Sequence, residues 1–174
     1  MDNKIIEENM FFLEEKIKYK FKDISLLAQA MKSVKIKELN VGKNHKEYSN
    51  ERLAIVGDAV LKAVISDVLY CKKIATKGEI TNKKKKLENN KILHVISISE
   101  GIINYAYNNL HFYDPILPKH ERVVCKKHDP YIEAIVGAIY YDGGFNSAKK
   151  WIVDYLLPLL EKYNNMSSDI TNVV

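Results

Sequence analysis

The fold is decided by the stretch NERLAIVGDAVLKAVISDVLY at residues 50–70. From Leu53 to Tyr70, apolar residues occupy almost every side of the predicted helix, yet Asp58 stands among them. A lone carboxylate is costly to bury unless something compensates its charge. The stretch therefore predicts a core helix and a counter-charge for Asp58.

The bulk composition predicts one globular domain with a polyanionic partner. The chain has 174 residues, 47% hydrophobic and 28% charged, with a net charge of +5. This basic balance favours nucleic acid or an acidic membrane face.

Two cysteines, Cys71 and Cys125, are too few for a disulfide framework and favour a reducing compartment, cytoplasm or nucleus. With no signal-peptide pattern and no uncharged run of membrane-spanning length, we expect no membrane association.

The periodicity of apolar residues predicts an all-α protein. Only seven Gly and four Pro interrupt the chain, and no segment requires a sheet. The predicted helices cover about 5–19, 24–31, 50–70, 79–97, 130–141 and 146–163, with a short helical stretch near 100–110. Residues 35–50 and 111–129 are predicted loops, and 1–165 are expected to form the domain, followed by a loose tail at 166–174.

Several residues are candidates for ending or capping these helices. The predicted caps are Ser49 or Asn50 before the helix at 50–70, and Thr81 or Asn82 if the helix at 79–97 starts later than Glu79. Pro130 suits the first helical position after Asp129 as cap, and the glycines of "DGG" (142–144) suit a helix end.

The apolar helix near the C-terminal end repeats the pattern of an isolated acid. In PYIEAIVGAIYY (130–141), Glu133 is the only charged residue, and Asp129 lies one turn earlier on the same side. Glu51 and Asp58 share a face of the first helix, since residues seven apart lie within about 20° of each other. Gly57 and Gly137 are small enough to let the two helices approach closely.

Two acidic stripes that face one another predict a metal site. Clustered carboxylates repel unless a cation lies among them. Hard oxygen ligands without His or Cys suit Mg²⁺, with Mn²⁺ as a substitute, and such an ion can activate water for phosphodiester cleavage. The alternative is that Asp58 and Glu133 pair with basic side chains such as Arg52 or Lys62, or are exposed.

Four ordered segments resemble the ribonuclease III family. NERLAIVGDAVL (50–61) is similar to the family signature NERLEFLGDxxL, and IEAIVGAIYYDGG (132–144) is similar to DVFEALIGAIYLDGG. Between them, GEITNKKKKLENNKIL (78–93) has the spacing of GxLSxxRxxLVxNxxL, and LEEKIKYKFKDISLLAQAM (13–31) resembles the family's opening segment. The similarity covers about residues 10–160.

The resemblance implies an all-helical endonuclease domain that cuts double-stranded RNA with Mg²⁺, leaving 5′-phosphate and 3′-hydroxyl ends. Asp58 and Glu133 match metal-site acids, and Glu51 matches the acid that opens the signature. Ile55 stands where the family has the apolar residue that plugs into the partner subunit, which implies a homodimer. The family's usual double-stranded-RNA-binding domain has no room in this chain, so a separate RNA-binding protein is an expected additional partner.

Two departures from the family pattern fall in the expected active site. Ala54 replaces the second glutamate of the signature, and Pro130 replaces the aspartate three residues before Glu133. Geometry makes Asp129 a candidate stand-in, because a residue at i−4 reaches the face that i−3 would serve. These departures favour the alternative of a catalytically silent domain that binds RNA or acts as a scaffold, and an unrelated helical domain is a further alternative.

Two basic stretches are candidate RNA contacts. Lys83 and Lys84 lie in a lysine run whose default interpretation is a solvated helix face. A second basic cluster precedes the acidic helix, where it would grip phosphates across the minor groove. Its candidate residues are Lys119, Arg122, Lys126 and Lys127.

Overall fold

The computed structural model describes residues 2–33, 50–72, 76–107 and 130–171. These residues form seven α-helices: α1 (Asn3–Ile17), α2 (Ile24–Met31), α3 (Glu51–Cys71), α4 (Lys77–Leu87), α5 (Asn90–Ser99), α6 (Tyr131–Trp151) and α7 (Leu157–Thr171). Within the described ranges the only extended pairing is a bridge between Lys32 and Tyr107, so the predicted all-α class is confirmed. No helix in those ranges is long and apolar enough to cross a membrane.

Helices α3 and α6 form the centre of the fold. Every residue from Tyr131 to Ile139 is buried. A helix that is apolar all round is stable only when it is surrounded, so α6 packs along α3 on one side and against α2 on another. Helix α4 contacts both α3 and α7, and α5 packs on α7.

The predicted helix over 79–97 is wrong in extent, because the structure divides it into α4 and α5. Helix α4 starts earlier than predicted, with a capping box in which Thr76 and Glu79 bond each other's backbone N–H. Thr81 and Asn82 are therefore not caps. The break follows Leu87, and Asn89 starts α5 by accepting a hydrogen bond from the Lys91 N–H.

The "DGG" segment interrupts the helix where an end was predicted. The backbone within α6 is non-helical at Gly144, whose φ of 77° is in the region that favours glycine, so two helical segments meet there at a kink. Asp142 fixes the chain between α1 and α2, since its Oδ1 accepts hydrogen bonds from the backbone N–H groups of Lys22 and Asp23.

The C-terminal segment consists of a π-helical connection and a final helix. A π-helical segment, Ile152–Leu156, connects α6 to α7 just before Pro158, whose ring removes a helical donor and crowds the carbonyl four residues earlier. Helix α7 then runs to Thr171 and so extends into the segment 166–174, while the predicted domain bounds remain a prediction.

Candidate functional site: an acidic cluster at the α3–α6 crossing

Two glycines allow α3 and α6 to approach with their backbones in contact. A Cβ added to Gly57 would lie 1.7 Å from the carbonyl oxygen of Glu133, and one added to Gly137 would lie 2.1 Å from that of Leu53. The predicted close approach is confirmed. It places the turn of α6 that carries Glu133 directly against the turn of α3 that carries Asp58.

Glu133 is a buried carboxylate with an unsatisfied oxygen. The residue is only 7% exposed, and its Oε2 atom has no hydrogen-bond partner. Burial raises the pKa of Glu133, and the charge of Asp58 raises it further. The two acids that the sequence singled out therefore interact electrostatically across the helix crossing.

Asp58 is less buried than the apolar sequence around it suggests. Its side chain is 41% exposed, and its Oδ2 accepts a hydrogen bond of 2.6 Å from the Lys62 ammonium one turn later. Of the alternatives open at the sequence level, pairing with Lys62 is the one observed for Asp58. Glu133 has no such hydrogen bond to its Oε2.

A third acid, Glu88, interacts electrostatically with Asp58 and Lys62 and was missed by the sequence analysis. It follows α4, its side chain is 16% exposed, and it forms an ion pair of 3.5 Å with Lys84. Burial raises the pKa of Glu88, the charges of Lys84 and Lys62 oppose that rise, and Asp58 adds to it. The available signal was a single acid within a lysine run, at a position where the family pattern has valine.

The remaining predicted acids stand differently. Glu51 is exposed in the first turn of α3. Ala54, where the family signature has glutamate, is 8% exposed within the packed face of α3. Asp129 lies outside the described residues, so its predicted role remains a prediction.

The predicted RNA contacts are only partly described. Lys83 is exposed on α4, whereas Lys84 is engaged with Glu88. The other candidates, Lys119, Arg122, Lys126 and Lys127, lie outside the described residues.

The donor set fits a hydrated divalent cation only in part. Within the described ranges, no three His, Cys, Asp or Glu side chains come together to hold a metal ion. Mg²⁺, however, is often bound through one or two carboxylates and several waters. Glu133, through its unpaired Oε2, and Asp58 would supply two carboxylate ligands, although Lys62 competes for Asp58.

An apolar side chain projects from the exposed surface of α3. Ile55 is 73% exposed, although it lies in the middle of a core helix. It borders a groove of about 590 Å³, whose lining residues are Leu26, Gln29, Arg52, Leu53, Ile55, Val56 and Tyr141.

Comparisons with known proteins agree with this architecture. The family pattern described as Ribonuclease-III-like matches residues 23–160. Ribonuclease 3 of Bdellovibrio bacteriovorus is 31% identical over 91% of this chain and 65% of its own length. Ribonuclease 3 of Protochlamydia amoebophila is 35% identical over 80% of this chain and 55% of its own length. The chain thus spans less than two thirds of these relatives.

A solved structure shows the same fold. The nuclease domain of ribonuclease III from Campylobacter jejuni, reported with structural flexibility in a region involved in dimer formation, superposes with a TM-score of 0.63 at 28% identity. The match covers 87% of this chain and 95% of that one. Since the family pattern spans most of the described fold, including both central helices, the chain belongs to the ribonuclease-III-like family.

Proposed function

We propose that this protein is a metal-dependent endoribonuclease that cleaves double-stranded RNA to 5′-phosphate and 3′-hydroxyl ends. The observation that carries the proposal is the unpartnered, buried Oε2 of Glu133 beside Asp58 at the α3–α6 crossing. A buried carboxylate oxygen without a donor is unfavourable in the absence of a compensating charge, and a divalent cation would supply that charge.

Asp58 and Glu133 would hold the cation, Mg²⁺ or Mn²⁺, with Glu51 and Asp129 assisting. When bound, such an ion supplies Lewis-acid stabilisation and an activated water for phosphodiester hydrolysis. The protein's own contribution is positional. The backbone contact at Gly57 holds Glu133 against α3, and the packing around α6 keeps bulk water from one of its carboxylate oxygens.

The lysine-rich helix α4 is the proposed duplex contact within the described residues. Lys83 is exposed, and Lys84 is linked through Glu88 to the acidic cluster, so phosphates bound along α4 would lie beside that cluster. Phosphate contacts of this kind position a duplex without reading its sequence. Lys119, Arg122, Lys126 and Lys127 are proposed to extend this contact, with a separate double-stranded-RNA-binding protein as a further partner.

A homodimer is part of the proposal. In a two-fold interface the same patch meets itself, so each Ile55 would enter the groove beside the partner's Ile55. Burying such a side chain contributes about 1.5–3 kcal/mol on each side. An intracellular location, in cytoplasm or nucleus, is proposed on the exposed free thiol of Cys71.

The cleavage assay uses long duplex RNA, Mg²⁺ and a denaturing gel, with EDTA as the negative control. We expect Asp58→Asn and Glu133→Gln to abolish cleavage. The matched control is Asp67→Asn, because Asp67 also lies on α3 and forms an ion pair of 2.7 Å with Lys149. Parent-level cleavage by Asp58→Asn or Glu133→Gln would contradict the proposal.

A second candidate function is a catalytically silent RNA-binding or scaffold domain of the same fold. The specific observations in its favour are the Asp58–Lys62 pair and the missing carboxylate at Ala54. Tight duplex binding with no cleavage at high protein concentration, in Mg²⁺ and in Mn²⁺, would establish this function and exclude the first.

A further inference from the structure

Lys62 occupies a distinctive place beside the acidic cluster. It lies one turn after Asp58 on α3, its Nζ atom is 2.6 Å from Asp58 Oδ2, and its side chain is 47% exposed. The hydrogen bond that Lys62 donates to Asp58 is the main cause that raises the pKa of Lys62, and the charges of Asp58, Glu88 and Glu133 add to it. One ammonium therefore interacts with carboxylates from three segments: α3, the end of α4, and α6.

The ion pair between Lys149 on α6 and Asp67 on α3 lacks this convergence. Lys149 and Asp67 form a pair of similar length and exposure, 2.7 Å with side chains 42% and 45% exposed. Among carboxylates, only Asp67 is a cause of the raised pKa of Lys149. Lys62 thus differs from a matched surface lysine in the number of acids around it and not in its own pair geometry.

The second relevant observation is the buried oxygen of Glu133. Glu133 is 7% exposed and its Oε2 has no hydrogen-bond partner, so the Lys62 ammonium compensates its charge only at a distance. Lys62 neutralises Asp58, whereas the buried Oε2 of Glu133 has no donor and would be compensated by a second cation. The two cations would share Asp58 and repel each other.

We infer that Lys62 is a built-in counter-ion of the acidic cluster, and that a divalent cation engages Asp58 only by displacing the Lys62 ammonium. This inference rests on the proposed function, which places the cation at Asp58 and Glu133. Displacement is physically accessible because exposed i, i+4 ion pairs are weak and the Lys62 side chain is already about half in solvent. Lys62 therefore stabilises the metal-free fold and lowers the affinity for the metal.

The test measures Mn²⁺ affinity through the electron paramagnetic resonance signal of the free aquo ion. The variants are Lys62→Gln, the charge-retaining Lys62→Arg, and Lys149→Gln as the matched surface control. Removing one positive charge a few ångströms from a divalent ion is expected to tighten binding about tenfold in Lys62→Gln. Lys62→Arg and Lys149→Gln should bind Mn²⁺ as the parent does.

A thermal readout tests the other half of the inference. Without Mn²⁺, Lys62→Gln should melt at a lower temperature than Lys149→Gln, because it leaves three acids without their shared cation. Saturating Mn²⁺ should then raise its melting temperature more than that of the parent.

The possible outcomes distinguish failure of the Lys62 inference from failure of the proposed function. Displacement is supported if only Lys62→Gln binds Mn²⁺, or if this variant binds Mn²⁺ more tightly than the parent does. Equal affinity in parent and Lys62→Gln, with binding lost in Glu133→Gln, overturns the role of Lys62 and leaves the proposed metal site intact. No Mn²⁺ binding in parent or Lys62→Gln overturns the metal site, and the inference with it.

Discussion

Replacing Gly57 by alanine tests whether the α3–α6 contact is the foundation of both fold and site. The added Cβ would lie 1.7 Å from the Glu133 carbonyl oxygen and 2.8 Å from the Gly137 nitrogen. Ordinary contact begins near 3.4 Å, so the two backbones would have to separate by about 1.7 Å. Because both obstacles are backbone atoms, no side-chain rotation relieves the clash.

The expected loss of stability follows from this geometry. Overpacking a core by one methyl group costs about 1–3 kcal/mol, and the upper end applies where backbone must move. For a chain of this size, about 3 kcal/mol lowers the melting temperature by about 6–12 °C. That loss is a large part of a typical stability of about 5–15 kcal/mol.

Circular dichroism during heating and urea titration measures the effect. The matched control is Gly78→Ala on α4, where the nearest atom to the new Cβ is Thr76 Oγ1 at 4.0 Å. That substitution should stabilise the protein by about 0.5–1 kcal/mol, since alanine loses less backbone entropy in a helix. If Gly57→Ala melts within a degree or so of the parent, the close crossing is refuted.

Three further predictions address assembly, pH and the missing carboxylate. Ile55→Asp should convert a dimer to a monomer, as measured by light scattering after gel filtration. The control is Ile98→Asp, which should leave the dimer intact although Ile98 on α5 is also exposed (51%). A dimeric Ile55→Asp protein would exclude the proposed interface. Burial first, and then the hydrogen bond to Asp142, raise the pKa of Tyr19 to about 12 from 10.0, so the neutral phenol is favoured by folding. Its contribution to stability is therefore full below pH 10 and lost as the pH rises from 10 to about 12; absorbance titration near 295 nm should show this late transition reduced by the amplitude of one tyrosine in Tyr19→Phe, with Tyr107 and Tyr155 still titrating there, and an unchanged curve would contradict the assignment. Ala54→Glu should lower the melting temperature without metal, because it places a carboxylate at a position that is only 8% exposed. Mg²⁺ should restore the melting temperature and increase duplex cleavage. A melting temperature insensitive to Mg²⁺ would show that position 54 does not face the acidic cluster.

Local sequence patterns were sufficient to predict most of the helices and the pair at their centre. Apolar spacing is a local property, so Ile24–Met31 was predicted to the residue, and the core helix predicted to about Tyr70 ends at Cys71. Gly57 and Gly137 also indicated a close crossing, because a glycine on an apolar helix face has no side chain to keep a second helix at a distance.

The way in which the acids are neutralised depends on contacts between helices that are distant in sequence. Lys62 was one of several possible partners of Asp58, and the choice depends on where α4 and α6 bring Glu88 and Glu133. The role of Glu88 could not be read from a lysine run, since it depends on the break after Leu87 and on the packing of α4 against α3. Helical periodicity determines which face of a helix a side chain occupies. The pairing of a charged side chain, however, depends on every charged group nearby, and contacts distant in sequence bring those groups together.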